Sequence, residues 1–140
     1  MLVLEQLQVE QTIEPITNKP ITNDQLVAYA QASGDLNPIH TDEQVAKSVG
    51  LPTNIAHGMF VMGQLGQYVN QLAGKEARVE EFRMRFGAMI FPQEQVTCSA
   101  IVEKIEGKRV RLNVYASKGP QEVVGNGTAI LVFEGVHTHE

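Results

Sequence analysis

The stretch "AHGMFVMGQLGQYVNQLAG", residues 56–74, constrains the fold more than any other part of the chain. It is apolar on most sides, and a helix of that kind belongs in a core. Beyond it the pattern changes character: residues 21–74 read mostly as helix and residues 77–134 mostly as strand. "ARVEEFRMRFGAMIF" reads as a strand closed by Pro92. "QVTCSAIVEKIEGK" and "KRVRLNVYASKG" meet around Glu106-Gly107-Lys108 as a hairpin, and "QEVVGNGTAILVFEG" supplies the last strand. Strands in succession with short turns favour an antiparallel sheet. Such a sheet must bury one face, and the helix at 57–73 is the only element apolar enough to cover it. The expected fold class is therefore α+β, one long central helix against a long-stranded sheet. Gly63 and Gly66 lie three apart in that helix, and each costs about 1 kcal/mol of helix propensity relative to Ala. Close approach of a sheet or a ligand to the helix backbone would offset that cost.

Ahead of the central helix, "LEQLQVEQTIEPIT" alternates loosely and reads as one strand. "ITNDQLVAYAQASG" reads as a helix with Thr22 as N-cap, Gln25 as its capping-box partner and Gly34 as its stop. "DEQVAKSVG" gives a second, short helix ending on Gly50, and "LPTN" a loop. The tail "VHTHE", with His137 and His139, reads as a loose end rather than a metal site.

A chain of 140 residues suits one domain over 1–140 with one core. Its formal charge of −5 disfavours nucleic-acid binding, and basic and aromatic residues do not interleave. The start, "MLVLEQLQVE", carries no basic leader, and no run approaches the roughly 20 apolar residues of a membrane helix. The one cysteine, Cys98, allows no internal disulfide and no cysteine-rich metal site. Together these features suit a reducing cytoplasm and no membrane partner.

Chemistry concentrates in "SGDLNPIHTD", Ser33–Asp42. Gly34 ends one helix, Pro38 disfavours helical geometry at Asn37, and Thr41 or Asp42 can cap the next helix. Asp35 and His40 are thus mounted on a short loop pinned at both ends, with Asn37 able to stitch the turn through its side chain. Two readings stand side by side: ordinary loop chemistry, or a pair of proton-handling groups. The second stretch, "NIAHGMFVMG", places His57-Gly58 at the start of the apolar helix, where free N–H groups and positive potential are available. Gly58 would let a ligand come close to that backbone, a natural donor for a carbonyl oxygen gaining charge. His57 is either a packed cap or a ligand contact.

Together the two stretches resemble the MaoC-like, or R-specific enoyl-CoA hydratase, family of hot-dog proteins. The motif reads here as Tyr29, then Ser33-Gly34-Asp35-Leu36-Asn37-Pro38-Ile39-His40, then Ala46, with "AHGM" following at residues 56–59. The resemblance implies a hot-dog fold in which a curved antiparallel sheet wraps the central helix. It also implies a two-fold dimer, or a dimer of dimers, with sheets joined edge to edge. Two positions depart from the family pattern. Phe91-Pro92-Gln93-Glu94 stands where a Pro-Gly-Asp turn is frequent, and Gly66 stands where some hydratases place a Ser beside the catalytic acid.

The implied activity is reversible hydration of a trans-2-enoyl thioester to the (R)-3-hydroxyacyl thioester, on coenzyme A or acyl carrier protein. The resemblance assigns the catalytic water to Asp35 and His40, the thioester carbonyl to the Gly58 N–H, and ligand contacts to Asn37 and His57. It calls for no cofactor and no metal. Partial burial would strengthen Asp35 as a base. The rivals are a catalytically silent hot-dog subunit that binds acyl groups and a hot-dog thioesterase. Arg78, Arg83, Arg85, Lys104, Lys108, Arg109 and Arg111 are available to a carrier's phosphates, although alternation explains most of them as solvated strand faces.

Overall fold

The structure is a computed structural model that describes residues 1–119 and 122–134. The tail histidines His137 and His139 lie outside the described residues. The elements run β1 (Thr12–Thr17), α1 (Asn23–Ser33), α2 (Glu43–Ser48), α3 (Gly58–Ala73), β2 (Ala77–Phe86), β3 (Thr97–Glu106), β4 (Arg109–Lys118) and β5 (Glu122–Phe133), with single 3-10 turns at Leu4–Gln6 and Pro38–His40. The five strands form one antiparallel sheet in the order β1-β3-β4-β5-β2. The α+β architecture expected from the sequence is the one observed.

The core follows from two periodicities. Along α3, Val61, Leu65, Tyr68, Val69 and Leu72 recur at three- and four-residue spacing and are all buried. Along the strands, alternate residues face them: Cys98, Ala100 and Val102 from β3, Val110, Leu112, Val114 and Ala116 from β4, and Ala129, Leu131 and Phe133 from β5. Fully burying a side chain the size of Leu65 contributes about 1.5–3 kcal/mol. The helix is buried along this stripe rather than all round, because Met59, Gly63, Gln67 and Asn70 remain exposed.

Small residues shape the sheet where it meets the start of α3. On the inner face the paired residues are Phe82 with Ala129, Met84 with Gly127 and Phe86 with Gly125. Each large β2 side chain thus lies over a small or absent one on β5. A Cβ at Gly127 would fall 1.8 Å from the Arg83 carbonyl oxygen, and one at Gly125 would collide with the Met84 side chain. The glycines in "VVGNGTA" therefore let β2 close tightly on β5. Gly63 differs from expectation, since a Cβ there would meet nothing within 4 Å, while Gly66 sits in ordinary contact with Phe82.

Local signals set the remaining boundaries. Thr22 and Gln25 form the reciprocal capping box of α1, and Gly34 ends that helix at φ 81°. Asp42, not Thr41, caps α2, accepting from the Gln44 and Val45 N–H groups. Gly107, at φ 62°, makes the turn between β3 and β4. The N-terminal segment is not one strand. Glu10 takes a positive φ of 71° and the Gln8 N–H binds the Gln11 side chain, so the chain turns before β1 begins.

Pro92 does not end β2 either. The strand stops at Phe86, and the Gly87 and Ala88 N–H groups turn to the Val124 and Val123 carbonyls. The segment beyond it is tied down by Lys118, whose ammonium donates to the Met89 carbonyl and to Glu94 and lies 4.8 Å from the Phe91 ring centroid. That side chain is only 11% exposed. No helix among the described residues is long and apolar enough to cross a membrane.

Gly127→Ala is expected to destabilise the protein by at least about 1–3 kcal/mol, because a backbone carbonyl rather than a flexible side chain stands in the way. Urea unfolding checks this, and Asn126→Ala on the opposite face is expected to stay within about 0.5 kcal/mol.

Candidate active site

The loop between α1 and α2 is built by its own short-range hydrogen bonds. Asp35 Oδ1 accepts from the Asn37 N–H, and Asn37 Oδ1 accepts from the Ile39 N–H. A 3-10 turn follows, in which the Thr41 and Asp42 N–H groups share the Pro38 carbonyl. Asn37 thus stitches the turn. The loop is then fastened to the segment ahead of α3: the Ile55 N–H donates to the Ile39 carbonyl, and the Asn54 amide donates to the Asn23 side chain at 2.8 Å and the His40 carbonyl at 3.0 Å.

His40 is buried, and its Nδ1 lies 2.9 Å from the Ile55 carbonyl oxygen. A carbonyl only accepts, so Nδ1 carries the proton and donates it. In the neutral ring the lone pair is then on Nε2, which lies 3.8 Å from Asp35 Oδ2. That gap is too long for a direct hydrogen bond. Two acceptors at that spacing suit one water that donates an O–H to each. Asp35 itself is 53% exposed, so the partial burial expected of it is absent in the single chain.

His57 is 2% exposed, and it lies behind the pair rather than in front of it. Its ring stacks on His40 with centroids 3.9 Å apart and planes at 23°. Its Nε2 donates to the Asp35 backbone carbonyl at 3.2 Å, which leaves Nδ1 buried without a partner. An unsatisfied buried acceptor costs about 1–3 kcal/mol. Asp35, His40 and His57 place ligand-type atoms within 4.8 Å of one another. His40 Nδ1 and His57 Nε2 are nevertheless both taken up by backbone carbonyls, and the remaining His57 nitrogen, Nδ1, is buried, which does not suit a shared ion.

Tyr29, the aromatic of the motif, meets His57 edge-on at 4.8 Å and Phe60 at 5.5 Å. Ala46, the motif's small residue, is the fully buried residue of α2.

At the start of α3, the Gly58 and Met59 N–H groups have no hydrogen-bond partner among the described residues. The Phe86 ring packs on Gly58, where a Cβ would come within 3.1 Å of it. A cavity of about 170 Å³ opens beside them, lined by His40, Gly58, Val61, Phe86, Met89 and Ile90. The structure therefore brings Asp35, His40, His57 and Gly58 together, with Asn37 holding the loop. A wider hollow of about 570 Å³ lies on the outer face of the sheet between Arg83, Arg85, Tyr115 and Asn126, away from this cluster. Of the basic residues open to a carrier, Arg78, Arg83, Lys104, Arg109 and Arg111 are paired with carboxylates, whereas Arg85 and Lys108 have no ion pair among the described residues. Cys98 is buried in the core, where burial pushes its thiol up to about 11.

The profile of the MaoC like domain family matches residues 5–124. The chain belongs to the MaoC-like family. A 3-hydroxybutyryl-CoA dehydratase of Methylorubrum extorquens is 31% identical over 134 residues, 94% of this chain and 83% of that protein. The probable enoyl-CoA hydratase 2 of Dictyostelium discoideum is 26% identical over 128 residues, and this MaoC-like chain spans 43% of its length. The fatty acid synthase beta subunit TOXC of Cochliobolus carbonum is 35% identical over 104 residues, of which this chain spans only 5%. Among solved structures, the (R)-hydratase from A. caviae involved in PHA biosynthesis superposes with a TM-score of 0.82 over 93% of this chain and 99% of that one, at 21% identity. The MaoC-like chain thus has the hot-dog fold.

Asn54 and Tyr29 anchor this site from outside the loop. Tyr29 stood in the motif, but the sequence offered only "LPTN" for Asn54. Asn54→Ala would leave the His40 carbonyl and the Asn23 side chain unpaired. It is expected to cost about 1–3 kcal/mol of stability, read as a lowered urea midpoint at unchanged m-value.

Proposed function

We propose that the chain is an R-specific hydratase/dehydratase that interconverts trans-2-enoyl and (R)-3-hydroxyacyl thioesters, on coenzyme A or acyl carrier protein. One observation carries this reading: a bare His40 Nε2 faces the Asp35 carboxylate across 3.8 Å, beside the free Gly58 N–H. The names of the 3-hydroxybutyryl-CoA dehydratase and enoyl-CoA hydratase relatives support the same chemistry. In the hydration direction the water held by Asp35 and His40 delivers its oxygen to the β carbon and leaves one proton on the pair. The thioester oxygen takes up the charge displaced from the double bond and is met by the Gly58 N–H, a donor of a kind worth about 10²–10³ in rate. The pair then returns a proton to the α carbon, so water is consumed and both residues end as they began.

In this reading residues 1–140 form one hot-dog domain working in the cytoplasm as a homodimer or dimer-based assembly. Two sheet edges, β1 and β2, are unpaired among the described residues. Leu36 follows Asp35 in the chain and Met59 follows Gly58, while Phe86 and Met89 line the cavity with His40 and Gly58, and all four are exposed. A second copy over that rim would supply the water exclusion that the chemistry wants. Sedimentation at micromolar concentration is expected to show a dimer or a multiple of it, and a stable monomer would contradict the assembly.

The reaction itself is tested by hydration assays across crotonyl to dodecenoyl thioesters on both carriers. Asp35→Asn and His40→Gln are each expected to lower kcat by about 10²–10⁴. The double variant should be little worse than either single one, because members of one catalytic unit are non-additive. Since His40 is buried and bonded to Ile55, its variant is also expected to lose about 1 kcal/mol of stability, whereas Asp35→Asn should melt near the wild type. Near-wild-type turnover by either single variant would sink the shared water.

A further inference from the structure

We propose that His57 is the positioning residue of the pair, the group that sets the separation of Asp35 Oδ2 and His40 Nε2, and that it makes no contact with substrate. The inference rests on the hydratase reading and deepens it. His57 touches both partners at once. Its Nε2–H holds the Asp35 backbone through the carbonyl oxygen, and its ring face supports the His40 ring. It does not line the cavity that His40 and Gly58 share.

The arrangement costs the protein an orphaned buried acceptor at His57 Nδ1. An apolar ring of the same size would fill the space without that penalty. What such a ring lacks is the Nε2–H aimed at Asp35, so the donor is the feature that accounts for an imidazole at this position. His57 also meets Tyr29 in an edge-type ring contact, and Tyr29 in turn packs on Phe60 of α3. A rigid ladder of rings therefore runs from α1 and α3 to the Asp35 backbone. His40 takes its second support from the Ile55 carbonyl, two residues before His57, so both catalytic groups are referred to one short stretch of chain.

Three variants test this. His57→Phe keeps the ring and loses the donor. His57→Gln carries an amide N–H about as far out as Nε2, and His57→Asn carries one too short to reach. Positioning predicts that His57→Phe and His57→Asn lower kcat by about 10–100-fold, since a misplacement of about 1 Å can cost 10²-fold. KM should stay within about twofold, and His57→Gln should recover to within about fivefold of the wild type. Amide hydrogen exchange at Asn37 and Ile39, whose N–H groups depend on the loop's closure, should accelerate in the Phe and Asn variants and not in the Gln variant. If His57→Phe does not fold, the Gln and Asn pair carries the test. Wild-type kcat in His57→Asn, a raised KM at unchanged kcat, or unaltered loop exchange would overturn the proposal. If the wild-type protein hydrates none of the thioesters, the hydratase reading fails by itself, and the exchange measurement still decides whether His57 holds the loop.

Discussion

The burial of one stripe of α3 against the sheet is the constraint on which the rest depends. Val61, Leu65, Tyr68, Val69 and Leu72 have no other apolar surface of that extent to cover them. Once they are seated, the first turn of the helix is fixed in place and its N–H groups have nowhere to go. The segment just ahead of it, Asn54 to His57, becomes a rigid bar, to which the Asp35–His40 loop is bolted by the Ile55–Ile39 and Asn54–His40 contacts. Chemistry that depends on fractions of an ångström is thus referred back to the best-packed element of the molecule.

Much of this was legible in the sequence, for identifiable reasons. The capping box at Thr22 and Gln25, the stop at Gly34 and the turn at Gly107 are local, and local chemistry decided them. Asp35 and His40 stood out because five residues on a pinned loop cannot lie far apart. What failed was long-range. Pro92 marks a segment pinned by Lys118 from 24–29 residues away rather than a strand end, and no window of sequence contains that contact. The glycines of β5 carry no local signal of their role, because their meaning lies in Met84 and Phe86 on another strand. Asp35 looked like a group for burial, yet a single chain leaves it open.

The two histidines of the site show how similar residues take different tasks. Both donate one ring N–H to a backbone carbonyl, His40 from Nδ1 and His57 from Nε2. The choice of nitrogen leaves the remaining lone pair facing the cleft in one case and the protein interior in the other. One ring can then exchange protons with a ligand, and the other can only hold its neighbours.

The edge of the sheet has a consequence of its own. β2 is ten residues long and has no neighbour on its outer side among the described residues, the usual invitation to open-ended fibrous growth. A bulge between Val79 and Glu81 breaks its regular register. Arg78, Glu80, Glu81, Arg83 and Arg85 load it with charges of both signs, several already paired within the chain. An incoming strand must match both the kink and the charge order, which an arbitrary aggregating segment does not. The edge is therefore selective: it can accept a shaped, finite partner while resisting the polymerisation that a flat apolar edge of the same length would invite.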